Sequence, residues 1–156
     1  MRQFDIEILQ TIQAVSQEPT LLSLSSTQHT HRAVTGMQKA VQRYITTLTT
    51  ALGSVSFDAR FGTNFWRDMQ RGAAQNPGRL AAALSFANFD ALRSMRLDDE
   101  DTETYGVSSP DERLVSVTLV DFVVDSTSGT LYLKLDLVNA AGTHYAYELP
   151  VEFMGG

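Results

Sequence analysis

The chain has 156 residues, with 12 Lys+Arg against 18 Asp+Glu, a formal net charge of −6 and no cysteine. One domain is expected at this length, and 43% apolar against 19% charged residues supports a packed core rather than disorder. The missing cysteines exclude a disulfide scaffold, thiolate metal sites, iron–sulfur clusters and thiol catalysis.

Phe4, Ile8, Leu9, Ile12 and Val15 recur at helical spacing, which predicts a short amphipathic helix over residues 4–16, ended by Pro19. Acids at Asp5 and Glu7 interrupt this start, and no apolar run follows that would serve as a signal peptide. No stretch approaches the roughly 18 apolar residues of a membrane helix, so a cytoplasmic protein without a membrane partner is expected. Residues 19–34 are rich in Ser and Thr and show no sustained period, so residues 1–35 read as an arm or linker. The domain proper is expected to span residues 36–156.

Met37, Val41, Tyr44, Ile45, Leu48 and Leu52 share one helical face, with Gly53 placed as its stop. That stripe suits a core, and equally a partner helix. Phe57, Phe61, Phe65 and Trp66 then crowd around Gly62, where a turn or a close backbone approach is expected. Thr63 or Asn64 is placed to cap a short helix through Arg71. Asn76-Pro77 is a stronger start signal, and Leu80, Leu84, Ala87 and Met95, widened by Phe86, Phe89 and Leu92, predict a helix to about Arg96.

The acidic run Leu97–Glu103 ends that pattern and reads as a solvated loop. Beyond it the period becomes two. Leu114 to Asp125 is apolar on both faces, as in a central strand. Leu131, Leu133, Leu135 and Leu137 alternate with polar residues, and Tyr145, Tyr147, Leu149, Val151 and Phe153 form a third run. Gly129 and Gly142 mark the turns between them. Pro150 assigns the third strand to an edge. Such an edge is either blunted by Pro150, Glu148 and Glu152, or open to a partner strand that adds to the sheet. The expected class is α+β: N-terminal helices packed on a C-terminal three-stranded antiparallel β-meander.

Chemistry is sparsely signalled. His29, His31 and His144 lack carboxylates at metal-ligand spacing, and no phosphate-binding loop or nucleophile elbow is present, so no cofactor or metal is expected. Glu112 with Glu100 or Asp111 supplies the carboxylate pair that a glycoside hydrolase would use. Charge is lopsided: residues 1–96 carry ten basic groups and six acids, and residues 97–156 carry two and twelve. Two halves meeting different partners are implied. No dense Lys/Arg stripe points to nucleic acid.

The order of features resembles a known family. Gly36-Met37-Gln38-Lys39-Ala40-Val41 opens a helix that leads through Leu52-Gly53 to Arg60-Phe61-Gly62-Thr63-Asn64-Phe65. A long helix follows, then Pro110-Asp111-Glu112-Arg113-Leu114 and a Gly-turn hairpin with Leu131-Tyr132-Leu133. Over residues 36–153 this resembles the baseplate-wedge, or sheath-initiator, family of contractile phage tails, with relatives in contractile bacteriocins and type VI secretion baseplates. The family pattern has Glu-Pro-Arg where this chain has Asp111-Glu112-Arg113. The resemblance implies a non-enzymatic virion protein present in several copies of a symmetric baseplate. Its basic helices, through Met37, Val41 and Tyr44, would dock on other wedge proteins. Its acidic sheet would template the tail sheath protein, through Tyr145, Tyr147, Leu149 and Val151, with Arg113 clamping a carboxylate. A tail-associated peptidoglycan hydrolase is the alternative of another class, and a type VI secretion baseplate subunit is the same mechanics in a bacterial setting.

Overall fold

A computed structural model describes residues 5–6, 33–56, 58–103 and 109–152. The fold is α+β: three helices packed on one face of an open, three-stranded antiparallel sheet. Two short strands precede it, β1 (Asp5–Ile6) and β2 (Ala33–Val34), which pair antiparallel. The helix expected over 4–16 is therefore corrected at Asp5–Ile6; the rest of that segment, with His29 and His31, lies outside the described residues.

Helix α1 (Gly36–Thr49) buries Val41, Tyr44, Ile45 and Leu48. It ends before Leu52, which is exposed in the following turn. The early stop has a local cause. Thr49 and Thr50 donate their hydroxyls back to the carbonyls of Ile45 (2.8 Å) and Thr46 (2.6 Å), and such back-bonding competes with helical continuation. The chain then turns into a parallel bridge between Ala51 and Thr63. Thr63 N–H donates to Thr50 O and Leu52 N–H to Thr63 O, both at 2.9 Å.

Helix α2 (Phe65–Gln70) follows, with Thr63 rather than Asn64 accepting at its start: the Phe65 N–H reaches Thr63 Oγ1 at 3.2 Å. Phe65 is fully buried and its ring meets Trp66 at 6.0 Å, so these two join the core; Phe61 is only half-buried, and Phe57 lies outside the described residues. Asn76 caps α3 (Pro77–Glu103) by accepting from the N–H groups of Gly78 (2.9 Å) and Arg79 (3.2 Å).

The acidic run is helical, not a loop. Arg43 of α1 bonds Asp98 and Asp99 at 2.7 Å each, and this ion pair between α1 and α3 holds the helix beyond Arg96. The widening of the core face by Phe86 and Phe89 is also corrected: they are 72% and 67% exposed.

After a 3-10 turn (Pro110–Glu112) come β3 (Leu114–Asp125), β4 (Thr130–Asn139) and β5 (His144–Glu152), in spatial order β3-β4-β5. The central strand is β4, not β3. Its four inward leucines, Leu131 to Leu137, are essentially fully buried, each contributing about 1.5–3 kcal/mol. The two-faced apolarity of β3 has another origin: register shifts between Leu114 and Ser116 and between Leu119 and Asp121 leave Val115 and Val120 exposed at 61% and 68%.

The helices seat on the sheet through Tyr44, whose hydroxyl donates to Asn88 Oδ1, while Asn88 Nδ2 donates to the Val117 carbonyl at 3.3 Å. Burial pushes the Tyr44 phenol well above its ordinary pKa. The unfolded chain releases that proton above about pH 10 and the native state retains it. Stability is therefore complete below that pH and falls as pH rises above it. Tyr44→Phe is expected to cost about 1–2 kcal/mol at neutral pH by stranding Asn88, and to flatten the alkaline decline. Urea titrations of both proteins across that pH range check it; an unchanged alkaline slope would refute the assignment.

Candidate assembly interface

The Asp111-Glu112-Arg113 segment lies beneath the start of α1. Glu112 is only 5% exposed and accepts from Lys39 Nζ at 3.1 Å and from the Gly36 N–H at 3.3 Å. Thr35, at the N-cap position of α1, makes no side-chain cap. A carboxylate reaching in from the sheet side fills that role, where the helix dipole favours negative charge. Gly36 has φ +64°, and a β-carbon there would meet Asp111 Oδ2 at 3.0 Å. The Asp111 carbonyl accepts from Asn139 Nδ2 (3.1 Å) and the Arg113 carbonyl from the Ala140 N–H (2.8 Å), which ties the corner to the β4–β5 turn. Arg113 is half-buried, and its Nε is enclosed without a hydrogen-bond partner among the described residues.

The structure thus brings the triplet together with α1, but as a structural joint. Glu112 is committed to Lys39 and Gly36, Asp111 bonds Ser109, and Glu100 faces Arg96 at 3.8 Å on α3. The carboxylates of the hydrolase reading have three separate sets of partners. A groove of about 230 Å³ between α1 and α3, lined by Arg43, Phe61, Met95 and Asp98 among others, contains none of the candidate site residues. Among the described residues, no group of His, Asp and Glu is arranged to hold a metal ion, and no helix is long and apolar enough to cross a membrane.

The apolar candidates lie at the helix–sheet boundary. Val41, Tyr44, Tyr147, Leu149 and Val151 are buried in one core cluster, with Met37 and Tyr145 packed against it. The side chains of the five buried residues are taken up by the chain's own core, while Met37 and Tyr145 stay partly exposed. What β5 offers outward is its main-chain edge and the alternate residues His144, Ala146, Glu148, Pro150 and Glu152, all exposed.

Pro150 decides which main-chain groups face that edge. It pairs with Tyr132 but has no N–H to give. The β4–β5 register runs without a shift, so positions 146 and 148 share its phase. In an antiparallel ladder this phase points away from β4. Ala146 and Glu148 therefore present their N–H and C=O groups to the open side.

The sheet's outer face carries rows set by the same register. Val123, Tyr132 and Pro150 form one, and Asp121, Lys134 and Glu148 the next, with Lys134 3.8 Å from Asp121. Over residues 114–152 the sheet holds five acids and one lysine. Asp125 accepts from the Ser128 hydroxyl (2.7 Å) and from the Thr127 and Ser128 N–H groups, bonds that hold its carboxyl below the ordinary range. Sequence reasoning missed Lys39 and this outer face. Register would have identified the face, because every residue opposite an inward leucine points inward too.

Comparison with protein-family models, curated proteins and solved structures finds no match.

Proposed function

We propose that the chain is a structural assembly protein whose sheet accepts a partner strand at β5. This is the role of the sheath-initiating baseplate-wedge proteins that its sequence resembles. The observation that supports the reading best is the β5 edge: nine residues in unbroken register with β4, and no strand on the other side among the described residues. Each main-chain hydrogen bond added there contributes about 0.5–1.5 kcal/mol, and several in series make a durable joint. In this reading the wedge proteins are met through the helical side and the tail sheath protein through β5, with several copies in a symmetric baseplate. A secretion-system baseplate would use the same edge. A glycan hydrolase would need Glu112 as a proton donor, and that carboxylate is engaged by Lys39.

Proline at Ala146 or Glu148 tests the proposal, because it removes an outward N–H while leaving the β4 ladder intact. Either variant is expected to remain folded and to enter baseplates with its wedge partners, yet fail to nucleate sheath. Normal sheath on particles carrying Glu148→Pro would sink the reading.

A further inference from the structure

Two apolar surfaces are left uncovered by the described residues. On α3 the core-facing line runs through Leu80, Leu84, Ala87 and Ala91, all buried. Phe86 and Phe89 lie off that line and stand in solvent, both more than two-thirds exposed. Residues seven apart lie on one helical line, so Arg79 and Arg93, both exposed, fall on either side of Phe86. Asp90, partly exposed one turn beyond Phe86, borders the same patch, which is aromatic at its centre and net basic through the two arginines at its ends.

The second surface is the outer face of the sheet. Val123, half-buried Tyr132 and exposed Pro150 form a continuous apolar row across all three strands. Asp121 and Glu148 flank it on one side, and Asp125 and Glu152, the ends of the next paired row, on the other. Lys134 stands between Asp121 and Glu148, 3.8 Å from Asp121, so the patch is apolar at its centre and net acidic around it, four carboxylates against one lysine.

The two surfaces cannot meet within one chain, because α3 covers the inner face of the sheet, where Asn88 bonds the Val117 carbonyl. Nor do two α3 helices pair well through their phenylalanines: antiparallel docking would bring Arg79 of one copy toward the arginines at the far end of the other. Like charges opposed at an interface cost several kcal/mol. The geometry points to a second copy of this chain as the occupant, with the Phe86/Phe89 face of one molecule seated on the Val123–Tyr132–Pro150 row of the next. The aromatic rings fill the apolar row, and Arg79 and Arg93 reach the acids at its borders. The contact is head-to-tail, so each copy keeps one free helix face and one free sheet face, and association closes into a ring or continues as a filament. It uses side chains on the outer face, whereas strand addition at β5 uses main-chain groups at the edge, so the two are independent.

Two variants separate this arrangement from every other. Phe86→Ser with Phe89→Ser disables the helix face, and Val123→Lys with Glu148→Lys disables the sheet face. All four positions are solvent-exposed, and circular dichroism checks that each variant keeps its fold. In sedimentation experiments at low salt, the unaltered chain should exceed its 17.2 kDa monomer mass as concentration rises. Added salt should reverse the increase. Each variant alone should stay monomeric. Mixed in equal amounts, they should form a species of twice the monomer mass and nothing larger, since each brings the one face the other lacks. Three results overturn the inference: an unaltered chain that remains monomeric, which assigns the two faces to other proteins; a sheet-face variant that still dimerises, which indicates helix-to-helix pairing; or a mixture that does not pair.

Discussion

Gly62→Ala is expected to lower stability by about 4 kcal/mol, from left-handed strain and backbone overlap combined. Gly62 has φ +98°, and a β-carbon there would lie 2.6 Å from the Thr50 carbonyl oxygen and 2.9 Å from that of Ala51. Neither oxygen belongs to a side chain that could swing aside. Both are held by the bridge at Ala51 and Thr63, which in turn fixes where α1 ends, with Thr63 Oγ1 donating to the Leu48 carbonyl at 2.7 Å. The overlap would be transmitted to the helix end and to the start of α2. Gly142→Ala is the control, because φ there is +79° but nothing lies within 4 Å of an added β-carbon. It should cost only about 1 kcal/mol. Urea midpoints for the two variants check the comparison, and equal losses would show that the close approach at Gly62 carries no energy of its own.

Glu112→Ala should cost about 3 kcal/mol, because it takes the facing carboxylate from a Lys39 ammonium that is only 6% exposed. The same substitution removes the acceptor for the Gly36 N–H at the start of α1. Replacing the pair together, Lys39→Met with Glu112→Leu, should recover most of the loss, since buried ion pairs are often no more stable than apolar residues of similar volume. Asp98→Ala provides the contrast. Its carboxylate is 62% exposed, and breaking its bond to Arg43 should cost well under about 1 kcal/mol. A double-mutant cycle on Lys39 and Glu112 measures the coupling, and additive losses would place the pair with weak surface contacts.

The class of the fold was legible because the apolar period changes from that of helices to that of strands after residue 103, and because Gly129 and Gly142 mark both turns. Asn76-Pro77 and the four leucines of β4 were legible for equally local reasons. The helical acid run was not, because the group that neutralises Asp98 and Asp99 is Arg43, more than fifty residues away. The place of β3 was obscured by Val115 and Val120. Extra residues in a bulge make an edge strand read as apolar on both faces, as a central strand would.

The candidate site divided in the same way. Met37, Val41, Tyr44, Tyr147, Leu149 and Val151 were correctly sorted to one face of each element. A stripe that packs on the chain's own sheet and one that packs on a partner need the same residues, so periodicity could not separate the two. Glu112 was identified, but its partner Lys39 is joined to it only by the fold. The β5 edge was readable from Pro150 alone, since the missing N–H is a local property that the fold cannot alter.

The two register shifts in β3 give the sheet a direction. A meander with two regular edges could be extended from either side, and a stack grown from it would have no fixed polarity. Here the shifts at Val115 and Val120 break the even spacing of outward donors and acceptors along one margin, while β5 keeps its spacing. Under the proposed reading, two surplus valines would act as a one-way stop, so that a partner strand adds on the β5 side and takes its orientation from that edge.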